Sequence, residues 1–96
     1  MKLINNKIKN IIPKLHEQDS KGLQAIAYIK FFTPDSNWSW YATEFDGVDT
    51  FFGLVDGLDK ELGYFSLSEL DSVRGPLGVK IERDLYFKPT KIRELM

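Results

Sequence analysis

The sequence predicts an α+β fold: a small antiparallel meander of about four or five strands, packed with short N-terminal, middle and C-terminal helices. Three observations support this prediction. Short β-branched and aromatic segments alternate with turn residues through the middle of the chain, helical spacing of apolar residues is confined to the N-terminus, and helix-capping signals recur further on. A length of 96 residues fits a single domain, residues 1–96.

The first element is predicted to be an amphipathic helix capped by Asn5 or Asn6, whose side chains can accept a hydrogen bond from the first turn. The apolar residues at helical spacing are Ile4, Ile8, Ile11, Ile12 and Leu15. Pro13 should end this helix near Ile12, because proline lacks an amide donor and clashes with the preceding turn. The polar segment 16–24 is predicted to be a loop.

Four successive strands are predicted at 25–32, 38–45, 50–57 and 62–67. The turn cluster at 33–37 joins the first two as an antiparallel hairpin. Within the second strand the alternation places Trp38, Trp40 and Ala42 on one face, with Ser39, Tyr41 and Thr43 on the other. The first strand could form an open edge of the sheet, where a second copy could pair.

The remaining elements are short. Residues 66–69, Ser-Leu-Ser-Glu, fit a capping box that opens a helix extending through Val73, and the Gly-Pro segment 74–78 breaks that helix. Residues 79–87 are expected to contain a final short strand. Thr90 is expected to cap a terminal helical turn.

Charge is segregated along the chain although the formal net charge is only −1. Residues 1–16 carry four lysines and no acid, whereas the segment from Asp35 to Asp71 carries nine acids and the single base Lys60. From Arg74 onward there are six bases and three acids. A near-neutral total is atypical of a dedicated nucleic-acid binder. It leaves room for one basic and one acidic surface.

The composition also limits the cellular compartments and the kinds of chemistry that are expected of the protein. The absence of cysteine excludes disulfides and thiolate metal sites. The apolar runs are only a few residues long, so no membrane-spanning segment is expected, and the N-terminus lacks the pattern of a signal peptide. We therefore expect a cytoplasmic protein.

Five large aromatic residues fall between positions 31 and 41. Such rings can stack on single-stranded nucleic acid when a basic groove surrounds them, or can fill a core. The segment that follows is acidic, and aromatic residues on adjoining strands supply packing partners. We expect at least one of Trp38 and Trp40 in the core. A mixed arrangement, with one ring inside and one at a surface patch, is the alternative.

Two long segments, FFTPDSNWSWYATEFDG (31–47) and FFGLVDGLDKELGYFSLSELDSVRGPLGVKIERDLYF (51–87), resemble the bacterial family known as domain of unknown function 2958. The resemblance extends from about Lys14 to Leu95. It implies a setting on plasmids, conjugative elements or phage-like regions; some similar sequences are labelled single-stranded DNA endonucleases, but the resemblance implies no catalytic residue. The residues that carry the pattern are Pro34, Asp35, Trp38, Trp40, Tyr41, Gly53, Leu54, Asp56, Gly57, Gly63, Tyr64, Arg74, Gly75, Pro76, Glu82, Arg83 and Asp84.

Nuclease chemistry finds little support in the residues. A restriction-type site needs an acid followed by an Asp/Glu-x-Lys motif, and Pro34-Asp35 is followed by none. His16 is expected to be solvated. A set of turn acids could gather a cation, although turn chemistry already explains them: Asp46, Asp49, Asp56, Asp59 and Glu61. We expect a protein that is not an enzyme, with no metal and no cofactor.

The leading functional hypothesis is therefore a small protein of mobile elements that acts by binding a macromolecule, with an inhibitor of a host-defence nuclease (anti-restriction or anti-CRISPR type) as its specific form. A protein partner is expected. The candidate binding residues are Asp35, Trp38, Trp40, Asp56, Arg74, Glu82 and Arg83. With Arg74, the run Glu82-Arg83-Asp84 could form an ionic network in a cleft or on the surface.

The sequence leaves two alternatives open. One is a factor that binds or processes single-stranded nucleic acid through the basic N-terminal helix and the C-terminal bases Lys80, Arg83, Lys88, Lys91 and Arg93. The other is a non-catalytic accessory domain. The sequence leaves the oligomeric state open.

Overall fold

A five-stranded antiparallel sheet, a separate two-stranded sheet and a few short helices make up the α+β fold that the sequence predicts. The computed structural model describes residues 2–96. In chain order the elements are α1 (Asn6–Ile11), a 3₁₀ helix (Asp19–Gln24), β1 (Ile26–Ala27), β2 (Ile29–Phe32), β3 (Ser39–Phe45), β4 (Thr50–Asp56), β5 (Lys60–Ser66), α2 (Leu67–Ser72), β6 (Glu82–Arg83), β7 (Thr90–Lys91) and α3 (Ile92–Leu95).

The larger sheet has the order β5-β4-β3-β2-β6, so four consecutive strands form the predicted meander and β6 pairs beside β2. Arg83 of β6 lies opposite Phe31 of β2. The predicted first strand is split at Tyr28, because its first half pairs with β7 as a second sheet while its second half joins the meander. The expectation that segment 25–32 forms an open edge is therefore wrong: a short strand from 50 residues further along the chain covers β2.

A β-bulge between Ala42 and Glu44 interrupts the alternation in β3. Before the bulge, the side chains of Trp40 and Ala42 share a face, as predicted. The extra residue, Thr43, reverses the facing of everything after it. As a result Phe45 joins Trp40 and Ala42 in the same core, three residues after Ala42, where strict alternation would turn it outward.

The sheet is covered on both sides, which explains why six of the seven residues of β3 are buried. The first face carries Phe31, Trp40, Phe45, Phe51 and Phe65. Here the Phe45 and Phe51 rings stack with centroids 4.3 Å apart, and Phe51 stacks on Phe65 at 5.3 Å. Such pairs each add about 0.5–1.5 kcal/mol beyond the burial of their area. The helices α1 and α2 and their flanking segments close this face with Leu3, Ile12 and Leu70.

The second face has a smaller core, formed by Tyr41 and Leu54 with Ala25, Ala27 and Ile92. The C-terminal segment supplies its cover, since Ile92 of α3 is 1% exposed and its amide donates to the carbonyl oxygen of Ala25. Phe52 and Tyr64, on the same face toward β5, pack edge to face outside this core.

A buried polar network fixes the segment that the sequence predicted as a loop, which instead contains the 3₁₀ helix. The Glu44 carboxylate, 2% exposed, accepts hydrogen bonds from the amides of His16 (2.8 Å) and Gln18 (2.7 Å). The Gln18 side chain donates to the carbonyl oxygens of Ile26 and Thr43 and accepts from the amide of Ile26. Because a buried carboxylate is costly without partners, these bonds decide the path of residues 16–18. The His16 side chain is exposed, as expected.

Two of the three predicted caps are confirmed. The Asn5 side chain accepts from the amide of Ile8, and α1 ends before Pro13. The Ser66 hydroxyl caps α2 as predicted, because it accepts from the amide of Glu69, and it also donates to the Glu69 carboxylate. The prediction for Thr90 is wrong: its hydroxyl donates to the carbonyl oxygen of Lys88, because Thr90 is already committed to β7, and α3 has no side-chain cap.

No helix among residues 2–96 has both the length and the apolar content needed to cross a membrane. The turn acids do not gather as the cation hypothesis required. Asp46 and Asp49 lie at one end of β4, whereas Asp56 and Asp59 lie at the other, about 20 Å away for a strand of this length. Within residues 2–96, no group of three or more His, Cys, Asp or Glu side chains is arranged to hold a metal ion.

Replacement of Gly53 by alanine should destabilise the fold, because a Cβ atom there would overlap the carbonyl of Tyr41 on β3. The matched control is Gly63→Ala, directly across the strand pair, where nothing lies within 4 Å of the added atom. We expect Gly53→Ala to lower the free energy of unfolding by about 1–3 kcal/mol or more, and Gly63→Ala to change it by less than about 1 kcal/mol. Urea unfolding measures both; equal effects would contradict the close approach of β3 and β4.

Asp46 should make stability depend on acid pH. Its carboxylate accepts hydrogen bonds from the amides of Val48, Asp49 and Thr50, and these bonds, the one from Val48 foremost, lower its pKa below the ordinary value of 3.8. A lowered folded-state pKa stabilises the protein above the ordinary value, and this stabilisation is lost as the pH falls through the folded-state pKa.

We therefore expect Asp46→Asn to be less stable than the natural protein at neutral pH, with a difference that starts to shrink as the pH falls below 3.8 and disappears below the folded-state pKa. Asp59→Asn, in the turn after β4, controls for the loss of one exposed charge. Urea unfolding at a series of pH values measures the difference. A difference that stays constant down to pH 2 would contradict the role of the charge.

Candidate interaction cleft

A mostly apolar cleft of about 510 Å³ opens on the first face at the end of the sheet where β3 begins. We call it the Trp38 cleft. Its lining residues are Thr33, Ser36, Trp38, Trp40, Val73, Arg74, Gly75 and Pro76. Two segments distant in sequence therefore form it: the β2–β3 turn with the start of β3, and the loop that follows α2.

The two tryptophans occupy different environments, the mixed arrangement that the sequence left open. Trp40 is 8% exposed and belongs to the first-face core, while Trp38 is 39% exposed at the mouth of the cleft. Their ring centroids are 5.9 Å apart at an angle of 31°. The buried ring thus supports the exposed one from below, which limits the positions that the Trp38 indole can take.

Backbone contacts hold Trp38 in place. The Thr33 amide donates to the carbonyl oxygen of Trp38 across the β2–β3 turn, and the Thr33 hydroxyl also contacts Ser36. On the β4–β5 turn, the Trp38 indole lies directly over Gly57, where a Cβ atom would overlap the ring. Only glycine therefore lets the indole pack this closely against the turn.

Asp35 fixes the loop that forms the opposite wall. One of its carboxylate oxygens accepts a hydrogen bond from the Leu77 amide at 2.7 Å, and Gly75 packs so closely against the carboxylate that a Cβ atom would overlap it. The Gly75 amide in turn donates to the carbonyl oxygen of Val79. The second Asp35 oxygen, Oδ1, is buried and has no hydrogen-bond partner within residues 2–96.

Arg74 is the charged residue among those that line the cleft. The Arg74 guanidinium donates to the carbonyl oxygens of Asp71 and Val73, each at 2.8 Å, so its position follows the end of α2. Arg74 also forms an isolated β-bridge with Lys80. The Asp35 carboxylate lies behind Gly75, outside the lining, so the cleft combines an apolar centre with the single charge of Arg74.

The other predicted site residues lie elsewhere. Asp56 pairs with Ser39 and Glu82 with Phe32, so alternation directs both side chains toward the second face, at the same end of the sheet as the cleft but on its other side. Arg83 is 9% exposed, and its guanidinium donates to the carbonyl oxygens of Leu3 (2.6 Å) and Lys2 (3.2 Å). Burial lowers its pKa. This arginine anchors the N-terminal segment to the sheet.

Arg74 and the residues of the run Glu82-Arg83-Asp84 have separate contacts. Asp84 accepts from the amide of Tyr86, while Arg74 and Arg83 donate to the backbone carbonyls given above. Within residues 2–96 the predicted network of four charged side chains does not form, and Arg74, Arg83 and Asp84 instead make side-chain-to-backbone bonds that fix turns and termini.

Sequence reasoning missed the wall formed by Val73, Gly75 and Pro76, because the Gly-Pro segment indicated only the end of a helix. It also missed the Glu44–Gln18 network. An acid in the middle of the apolar strand segment WSWYATEF was the available signal for the latter, since such a residue needs either solvent or buried donors.

Comparison with known proteins gives one match. The sequence profile of a family described as "Protein of unknown function (DUF2958)" matches residues 3–93, nearly the whole chain. No curated protein and no solved structure matches the chain.

Quenching of tryptophan fluorescence should separate the two indoles, because each single replacement leaves one tryptophan as reporter. In Trp40→Phe the remaining Trp38 should be quenched readily by acrylamide, whereas in Trp38→Phe the buried Trp40 should be quenched several-fold less. Trp40→Phe should also cost more stability, since it removes volume from the core. Equal quenching in the two variants would contradict the geometry of the cleft.

Proposed function

Because the chain belongs to the DUF2958 family of proteins of unknown function, we propose that it is a non-enzymatic interaction protein whose Trp38 cleft receives an apolar anchor from a partner protein. The observation that carries the proposal is the position of Trp38: a large ring, 39% exposed, supported from below by Trp40 and held by two turns. Rigid, partly exposed aromatic residues and arginine dominate the binding energy of protein interfaces.

The surroundings of Trp38 fit a protein partner better than a nucleic acid. An apolar centre with a polar, charged rim is the usual anatomy of a protein–protein interface. A stacking platform for single strands instead combines aromatic rings with a basic groove that follows the phosphates. Here Arg74 is the only base among the residues lining the cleft, and the Asp35 carboxylate lies behind Gly75. The lysines of α1 lie outside the lining.

The distribution of acids supports a more specific proposal, an inhibitor of a host-defence nuclease encoded by a mobile element. Register places Asp56 and Glu82 on the second face at the end of the sheet that carries the cleft, and Asp35 and Asp59 lie in the adjoining turns. Nucleic-acid grooves of nucleases are basic, and carboxylates near an apolar anchor would favour association with such a groove and raise its rate.

Selection from a random peptide display library tests whether the cleft binds peptides, and it does not require the partner to be known. We expect enriched peptides to combine an aromatic or aliphatic anchor with lysine or arginine, and Trp38→Ala to weaken their binding by about 2 kcal/mol or more in calorimetry. Tyr86→Ala, which removes an aromatic residue 90% exposed outside the cleft, is the matched control. Peptides that bind Trp38→Ala as tightly as the natural protein would contradict the proposal.

Two further assays separate the alternatives. Purified restriction endonucleases and CRISPR effector nucleases should cleave plasmid DNA more slowly with the natural protein than with Trp38→Ala; equal cleavage throughout would remove the inhibitor proposal. A labelled single-stranded oligonucleotide should show no mobility shift at low salt. A shift that depends on Trp38 would favour the nucleic-acid alternative, since stacking contributes about 1–3 kcal/mol per base. Failure of all three assays would leave the accessory-domain alternative.

A further inference from the structure

The outer strand of the sheet, β5, presents an open edge on the side away from β4. It is seven residues long and pairs with β4 without a register shift from Lys60 opposite Asp56 to Ser66 opposite Thr50. Alternate residues of such a strand direct their amide and carbonyl groups outward, where they can pair with another strand.

Several common protections of an edge are absent from this strand. It contains no proline and no bulge. Its lysine, Lys60, is turned toward the second face, and its ammonium donates to the carbonyl oxygen of Leu95 in α3 at 2.9 Å. At its centre, Gly63 has no atom within 4 Å of the position that a Cβ would take. Glu61 is the remaining charge on the strand.

The second face beside this edge is apolar and exposed. Leu62 is 44% exposed and Tyr64 is 60% exposed, and Tyr64 packs edge to face against the half-buried Phe52 of β4 with ring centroids 5.0 Å apart. Apolar side chains at an open edge become buried when the sheet continues into another strand. This surface is separate from the Trp38 cleft, which opens on the first face.

We propose that two copies of the chain pair through antiparallel β5 strands about a two-fold axis at Gly63, joining the two sheets into one of ten strands. Gly63 is the middle residue of β5, so this register alone pairs all seven residues. It places Leu62 opposite Tyr64 of the second copy, twice by symmetry, and Lys60 opposite Ser66.

The charges favour this register over its neighbours. With the axis at Gly63, Glu61 lies opposite Phe65 of the second copy and no two like charges face each other. A shift that centres the axis on Glu61 places two carboxylates directly opposite, which is destabilising. A shift that centres it on Leu62 or Tyr64 shortens the paired segment. The sequence of β5 is thus self-complementary in one register, which commits the edge to a second copy of the chain.

Sedimentation equilibrium of the full chain tests the dimer. We expect a mass of twice 11.1 kDa at micromolar concentrations. Tyr64→Lys and Leu62→Glu should each raise the dissociation constant by about tenfold or more, because each change is felt twice in a symmetric dimer. Tyr86→Lys, the same kind of change at the opposite edge of the sheet beyond β6, should leave it unchanged. A natural protein that is monomeric at all these concentrations would overturn the proposal.

The double variant Leu62→Glu with Tyr64→Lys tests the register. With the axis at Gly63, each new glutamate lies opposite a new lysine of the second copy, so the double variant should recover association that both single variants lose. In the register centred on Leu62, two glutamates would face each other and association would fall further, which would contradict the proposal. Circular dichroism establishes that each variant is folded.

Crosslinking gives a second measurement that does not depend on weakened binding. The natural chain has no cysteine, and the open space at Gly63 accommodates a side chain. Gly63→Cys should therefore form a covalent dimer under mild oxidation, since cross-strand Cβ atoms lie about 4.5–5.5 Å apart. Tyr86→Cys, oxidised alongside, should remain monomeric. Equal crosslinking of both variants would indicate random collision and contradict pairing through β5.

Discussion

The position of β3 between β2 and β4 is the constraint on which the rest of the structure depends. Six of its seven residues are buried, because helices and terminal segments cover both faces of the sheet around it. A strand buried on both faces cannot slip by one residue without exchanging its entire set of core contacts. The pairing of Trp40 with Phe31 on one side and with Val55 on the other therefore fixes where the neighbouring turns meet, and those turns form the Trp38 cleft.

The bulge at Thr43 lets β3 place the Phe45 ring on the first face and the Glu44 carboxylate on the second face. Without the extra residue, Glu44 would share a face with Trp40 and Ala42 and would place a carboxylate among stacked phenylalanine rings. With it, Phe45 takes that place and Glu44 turns to the second face, where the amides of His16 and Gln18 meet it. A buried carboxylate is tolerated only with such donors, so the N-terminal segment is held on the sheet by the group that the bulge displaces. A buried carboxylate that would be destabilising without donors thereby makes a specific contact between segments far apart in the sequence.

Two glycines allow the close contacts that shape the cleft. Gly57 lets the Trp38 indole lie on the β4–β5 turn, and Gly75 lets the loop after α2 approach the Asp35 carboxylate. A side chain at either position would push a wall of the cleft away from Trp40. The exposed ring is therefore held by packing on several sides, which reduces the conformational entropy that binding must remove.

The sequence by itself determined the α+β class, the order of the meander, two helix caps and the burial of at least one tryptophan, because these follow from alternation, turn residues and hydrogen bonds between residues close in the chain. Only the tertiary structure decided that β6 covers β2, that the first predicted strand divides between two sheets, and that Arg83 is buried while Trp38 is exposed. These outcomes depend on contacts such as Arg83 with Leu3, 80 residues apart, and on a one-residue bulge that reverses the facing of the residues after it. Local pattern carries no information on which distant segment will supply a partner, so the candidate residues could be named from the sequence but not assembled into a cleft.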